Sequence, residues 1–230
     1  MKAALFLTGI FALVSCASLP EIRPGLPGPA GKVLDCPSPF LTEKTRLIHA
    51  IEARAAGAAQ GAVIGVTLAD PQTRQMSCAI MSAEGLVLFE ADAGPSGLKA
   101  SRALPPFDAP DFARNMMDDI ELIYFPPPGA PEQRGFSADG LKVCRWRQDT
   151  GGWIDVTAGP AGSAQIRRYS RTRALMRRVQ LDASAAGPYG RIELVATQWV
   201  GYSLTMTLIE SEPVLPVWRT GPDAEEGRHP

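Results

Sequence analysis

Histidine is almost missing from this chain: His49 and His229 are the only two in 230 residues. A Ser-His-Asp or Cys-His site would have to use His49, and no Gly-x-Ser-x-Gly elbow is present to carry a nucleophile. A zinc site assembled from His49 and the scattered cysteines lacks any close ligand pair. No Gly-x-x-x-x-Gly-Lys pattern offers a phosphate cradle. Asp118, Asp119 and Glu121 fall where a helix would expose and solvate them. Excess charge of one sign is missing too, the net being −1, which argues against a nucleic-acid partner as a global property. After residue 14 no apolar run approaches the length of a bilayer span. The expectation is a protein with no covalent chemistry, no cofactor and no metal.

What the chain does have begins at its start. Lys2 precedes an apolar run from Ala3 to Val14, too short to span a bilayer, and small residues follow at Ser15. The stretch Leu13-Val14-Ser15-Cys16 resembles the lipobox of bacterial lipoproteins. That resemblance implies removal of residues 1–15 and a lipid on Cys16, which would attach the protein to a membrane. Ala17 in place of aspartate after Cys16 resembles export to the outer membrane, giving a periplasm-facing, lipid-anchored protein as the expected location. Lys2 is the only charge before Cys16, so the chain from Cys16 onward is one charge more negative than the whole.

Residues 16–40 hold Pro20, Pro24, Pro27, Pro29, Pro37 and Pro39. Proline at this density favours an extended spacer, read here as a tether. With 45% hydrophobic and 20% charged residues the remainder is globular, with room for one domain over 41–209. A polar tail over 210–230 has little to bury. Cys36, Cys78 and Cys144 remain in a compartment that permits disulfides: one bridge with a free thiol, and three buried thiols, are both open.

Within the domain, Thr42 can cap a helix to about Ala56, with Leu47, Ile48, Ile51 and Ala55 as its apolar stripe. Strand-like runs follow at 62–69, 74–81, 85–91 and 97–102, divided by turn signals at Asp70-Pro71, Ser82–Gly85 and Gly94–Gly97. Asp108 can cap a second helix to about Tyr124, stopped by Pro126. Strand-like runs resume at 140–148, 152–158, 164–174, 176–182, 191–198 and 202–209.

This order of elements, with two local matches, resembles the LolA/LolB lipoprotein-carrier superfamily, in an uncharacterised LolB-like branch. One match is Leu88-Phe89-Glu90-Ala91-Asp92-Ala93-Gly94-Pro95-Ser96-Gly97-Leu98, a strand, tight turn and strand. The other is Arg191-Ile192-Glu193-Leu194-Val195-Ala196-Thr197-Gln198-Trp199-Val200. The resemblance implies a mainly β (α+β) fold: an open antiparallel half β-barrel with helices across the concave side. It also implies an apolar concave face that holds a lipid or an acylated cargo. Each buried methylene contributes roughly 0.8 kcal/mol, so covering one acyl chain would offset about 10 kcal/mol of exposure. LolB touches the membrane with an apolar residue on an exposed loop; here Glu84 stands near that place, and Leu86 serves only if the loop is offset by two.

The candidate lid or cavity residues are Phe112, Met116, Ile120 and Ile123 on the second helix, with Met76, Ile80, Leu204 and Met206 on strands. Core packing accounts for the same spacing. Arg167, Arg171, Arg173 and Arg177 share strand parity, so a continuous strand would make one cationic face for anionic headgroups, which guanidinium binds bidentately. A second reading is a structural lipoprotein with a filled barrel that docks an envelope protein partner through its outer face.

Overall fold

The computed structural model describes residues 18–25, 34–55, 61–184, 187–197 and 201–214. Five strands come first: β1 (Thr45–Ala55), β2 (Gly61–Asp70), β3 (Gln75–Met81), β4 (Val87–Gly94) and β5 (Gly97–Ala103). One helix, α1 (Phe112–Tyr124), follows. Then come β6 (Gln133–Phe136), β7 (Lys142–Arg147), β8 (Trp153–Ala158), β9 (Ala164–Tyr169), β10 (Leu175–Ser184), β11 (Gly187–Ala196) and β12 (Tyr202–Pro213).

All twelve strands form one antiparallel sheet in the order β5-β4-β3-β2-β1-β12-β11-β10-β9-β8-β7-β6. Each neighbour but one is joined by a local connection; β1 and β12 meet from opposite ends of the domain, Thr45 opposite Pro213. The sheet is not closed, because β5 and β6 are its two edges. The chain must therefore travel from one edge to the other between β5 and β6, and α1 lies on that path. This is why a helix crosses the open side. The architecture is the open half-barrel that the resemblance implies, with a single α-helix among the described residues.

Alternation sets the two faces. On β3, Met76, Cys78 and Ile80 are buried while their neighbours are half-exposed; on β2 and β4 the same rhythm buries Thr67, Ala69, Phe89 and Ala91. Turn chemistry matches the expected breaks. Asp70 Oδ1 accepts from the Gln72 and Thr73 amides, Ser82 Oγ accepts from the Leu86 amide, and Gly97 takes a φ of 110° that other residues avoid.

Four expectations are corrected. The segment read as a first helix is the central strand β1, paired along its length with both β2 and β12. Leu47 and Ile51 stand four apart, an even spacing that satisfies a strand face as well as a helix stripe. His49, between them, is therefore a core strand residue. The second helix starts at Phe112 rather than Asp108: Asp111 sits in the left-handed region (φ 62°) with no side-chain cap, and Pro110 keeps Ala109 out of the helical region. Its end is as expected, with Phe125 extended before Pro126. A strand at Gln133–Phe136 was not anticipated. Finally, β12 runs through Glu210 to Pro213, where a loose tail was expected; the rest of that tail, 215–230, lies outside the described residues.

The stretch read as a free spacer is, where described, part of the folded unit. Arg23 and Phe136 exchange two backbone hydrogen bonds of 2.8 Å, adding a stub of chain to the β6 edge. The Arg145 guanidinium donates to the Pro20 carbonyl at 2.9 Å. Further on, Cys36 is bridged to Cys144 of β7, and Tyr189 donates its hydroxyl to the Pro39 carbonyl at 2.7 Å. Of the two disulfide alternatives the first holds: one bridge, with Cys78 free and buried.

Candidate functional site

The concave face and the helix on it form the candidate site. α1 turns its apolar stripe onto the sheet: Ile120 and Ile123 are buried, and Phe112 and Met116 pack against the same core. Phe112 meets Phe89 of β4 and Phe107 in edge-to-face pairs, each with 5.3 Å between centroids. Met116 Sδ lies 3.8 Å from Cys78 Sγ. Met76, Ile80 and Met206 are buried on the sheet side, with Leu204 and Leu208 packed beside them. All eight apolar candidates thus belong to one cluster. Sequence reasoning missed Met117, Leu122 and Tyr124, which are also buried, so the C-terminal half of α1 is enclosed nearly all round.

A polar cluster pins this helix. Asp119 was expected in solvent, but it is buried and faces Arg177 of β10, whose Nε donates to Oδ1 at 2.8 Å. Tyr202 of β12 donates its hydroxyl to the other carboxylate oxygen, and the Arg177 guanidinium lies over the Tyr202 ring, 5.4 Å from its centroid. Burial pushes the Asp119 carboxyl up, against the opposing pull of Arg177 and Tyr202. Arg74 holds the helix at another point, donating to Glu121 and to the Pro126 carbonyl.

The arginine candidates come apart. β9 ends at Tyr169, and a turn closed by Ser170 and Ala174 carries Arg171 and Arg173, the latter at a φ of 66°. Arg177 shares a face with Val179 and Leu181 and points into the concave side. Arg167 alternates with buried Ala164 and Ile166 and so points to the convex side. No continuous strand joins them, and the expected single cationic face does not form.

Among the described residues, His49 Nε2 and Tyr124 Oη are buried in the core without a hydrogen-bond partner, their rings 6.5 Å apart. Burial lowers the His49 pKa to about 4, against a hydrogen bond to the Tyr189 backbone. Burial also raises the Cys78 thiol to about 12, so it is protonated and inert while covered. On the convex face Arg145 and Asp155 form a buried bidentate pair at 2.6 and 2.7 Å. That pair also went unread; Arg145 in addition donates to Pro20 of the segment read as a spacer.

Two grooves are polar-lined and neither touches α1. One of about 430 Å³ runs over β3–β5 beside Ser77, Asp92 and Lys99, and one of about 230 Å³ lies beside Thr157, Gln165 and Arg167. On the concave face, Phe112, Met116, Ile120 and Ile123 of α1 pack against the apolar cluster of the sheet. No group of three or more potential metal ligands occurs among the described residues. Leu86 is 55% exposed at the β3–β4 turn, and Glu84 beside it is held below the usual range by the Ser82 hydroxyl. Trp199 and Val200, part of the second local match, lie outside the described residues.

No protein-family model matches the chain, and no curated protein matches it. Among solved structures it is similar to a crystal structure of a LolA superfamily protein from Nitrosomonas europaea. The TM-score is 0.48 at 13% identity, covering 77% of this chain and 89% of that one.

Proposed function

We propose that this protein is a lipid-anchored envelope protein whose half-barrel takes up a lipid or acylated cargo when α1 leaves the concave face. The observation that carries the reading is the helix itself. It is the connection between the two free edges of an unclosed sheet, its sheet-facing side is apolar, and its hold on β10 and β12 is one ionic cluster. Moving it aside exposes an apolar face of Met76, Ile80, Phe89 and Met206 without breaking a strand pairing. An acyl chain laid there re-covers the same area, so helix and ligand are exchangeable occupants. Methionine on both partners suits the exchange, because its flexible side chain repacks around different shapes. Cys16 supplies attachment at the outer membrane, and no covalent step is involved.

Native mass spectrometry of the Cys16→Ser protein, purified gently, tests this: bound lipid mass is expected, together with saturable uptake of a fluorescent fatty acid. Apo protein alone, with no uptake, overturns the carrier reading. The packing of α1 on the concave face supports the alternative, a scaffold that docks an envelope protein partner. In-cell crosslinking separates the two, since a scaffold gives one abundant protein adduct and a carrier gives lipid adducts.

A further inference from the structure

Residues 20–23 have a fixed place, and that place limits where a lipid on Cys16 can be. Three independent contacts hold residues 20–23. Pro20 O accepts from Arg145 Nη2 at 2.9 Å, and the Arg145 side chain is itself 5% exposed and paired with Asp155. Arg23 and Phe136 form an antiparallel bridge with two 2.8 Å bonds. Gly135 gives the backbone room to approach, since a Cβ there would run into Arg23 O and the Ile22 side chain. The segment is clasped, and Pro20 is only four chain steps from Cys16.

Four residues of extended chain reach about 14 Å at most. The sheet is wide by comparison. Its β6 and β5 edges are eleven strand spacings apart, roughly 50 Å measured along the curved surface. We propose that the clasp seats the lipid of Cys16 beside the β6 edge, so that the bilayer meets the β6–β7 side of the sheet and the β5 edge stands away from it. The proposal rests on the lipid-anchored reading above and adds an orientation to it. Charge does not set that orientation: around the clasp Arg23 and Arg134 are mixed with Glu21 and Glu132, all exposed. The anchor does, and the partner it fits is a lipid surface of any headgroup.

The test uses the full-length lipidated protein in phosphatidylcholine vesicles carrying an acceptor dye on a fraction of the headgroups. A donor is placed on Ala138→Cys, in the β6–β7 turn, or on Ser96→Cys, in the β4–β5 turn. Both positions are exposed, and the native thiol Cys78 is buried and out of reach of the dye. Energy transfer is expected to be several-fold greater from the Ala138→Cys donor than from the Ser96→Cys donor. Inserting ten Gly/Ser residues between Ala17 and Ser18 is expected to erase most of that difference while leaving the fold unchanged. Equal transfer from both sites in a lipidated, vesicle-bound protein overturns the orientation alone, as does indifference to the insertion. A protein whose Cys16 carries no lipid mass overturns the anchored reading, and the orientation with it.

Discussion

Arg177 Nε and Asp119 Oδ1 stand 2.8 Å apart with both side chains 7% exposed, joining the helix to the sheet. Removing one partner of a buried pair costs about 3–5 kcal/mol. Asp119→Ala is therefore expected to lower the unfolding free energy by about that much in urea titrations. The same variant should free α1 to move. Cys78 reports this: its thiol is covered by Met116, so alkylation is slow in the native protein and should accelerate at least tenfold in the variant while the sheet stays folded. Unchanged alkylation would show that the ionic cluster does not govern the helix.

His49 makes stability depend on pH. Its folded pKa is about 4 while the unfolded value is 6.5, so between these the unfolded chain binds the extra proton. Stability is thus full above pH 6.5 and falls as the pH drops towards 4, by roughly 3 kcal/mol from this group alone. Asp119, whose carboxyl is raised, contributes with the opposite sign and blunts the slope. The difference between wild type and His49→Leu across that range isolates the histidine: the variant should lose the acid sensitivity.

The Cys36–Cys144 bridge closes a loop of 108 residues. Its removal by Cys36→Ser is expected to cost about 2–5 kcal/mol, read as a lower denaturant midpoint, with a matching loss on adding reductant to wild type. Reductant should leave the variant unaffected, because Cys78 has no partner to lose.

Gly135→Ala addresses the clasp separately from the sheet. The added methyl meets the Arg23 carbonyl, and overpacking of this kind costs about 1–3 kcal/mol. Hydrogen exchange at residues 18–25 should rise sharply while β7–β12 stay protected. Exchange that rises everywhere would mean that the clasp and the sheet are one cooperative unit.

Strands were legible wherever alternation ran against a solvated face, as on β3 and β4, and the α1 stripe was legible at its three-and-four spacing up to the Pro126 stop. β1 was not, since Leu47 and Ile51, four apart, read equally well at either period until β2 and β12 are known to flank them. Asp119 carries no local mark of burial: its partner lies 58 residues away, and only the folded sheet brings them together. The arginine face failed for a related reason. Parity applies to unbroken strands, and the Ser170–Ala174 turn resets it between Arg167 and Arg177. The bidentate Arg145–Asp155 pair was invisible because it forms across two neighbouring strands, and the Pro20 carbonyl that Arg145 also meets lies in the stretch read as a spacer.

The β1–β12 seam also governs how the chain comes together in time. Ten of the eleven strand pairings are between consecutive strands and form from short loops, so two meanders can assemble locally. The eleventh joins residues 45–55 to 202–213, and its closure waits for nearly the whole chain. Until then β1 and β12 each present a long unpaired edge, the part of a nascent sheet most prone to pairing with the wrong chain. Any truncation before residue 202 would leave β1 in that state permanently.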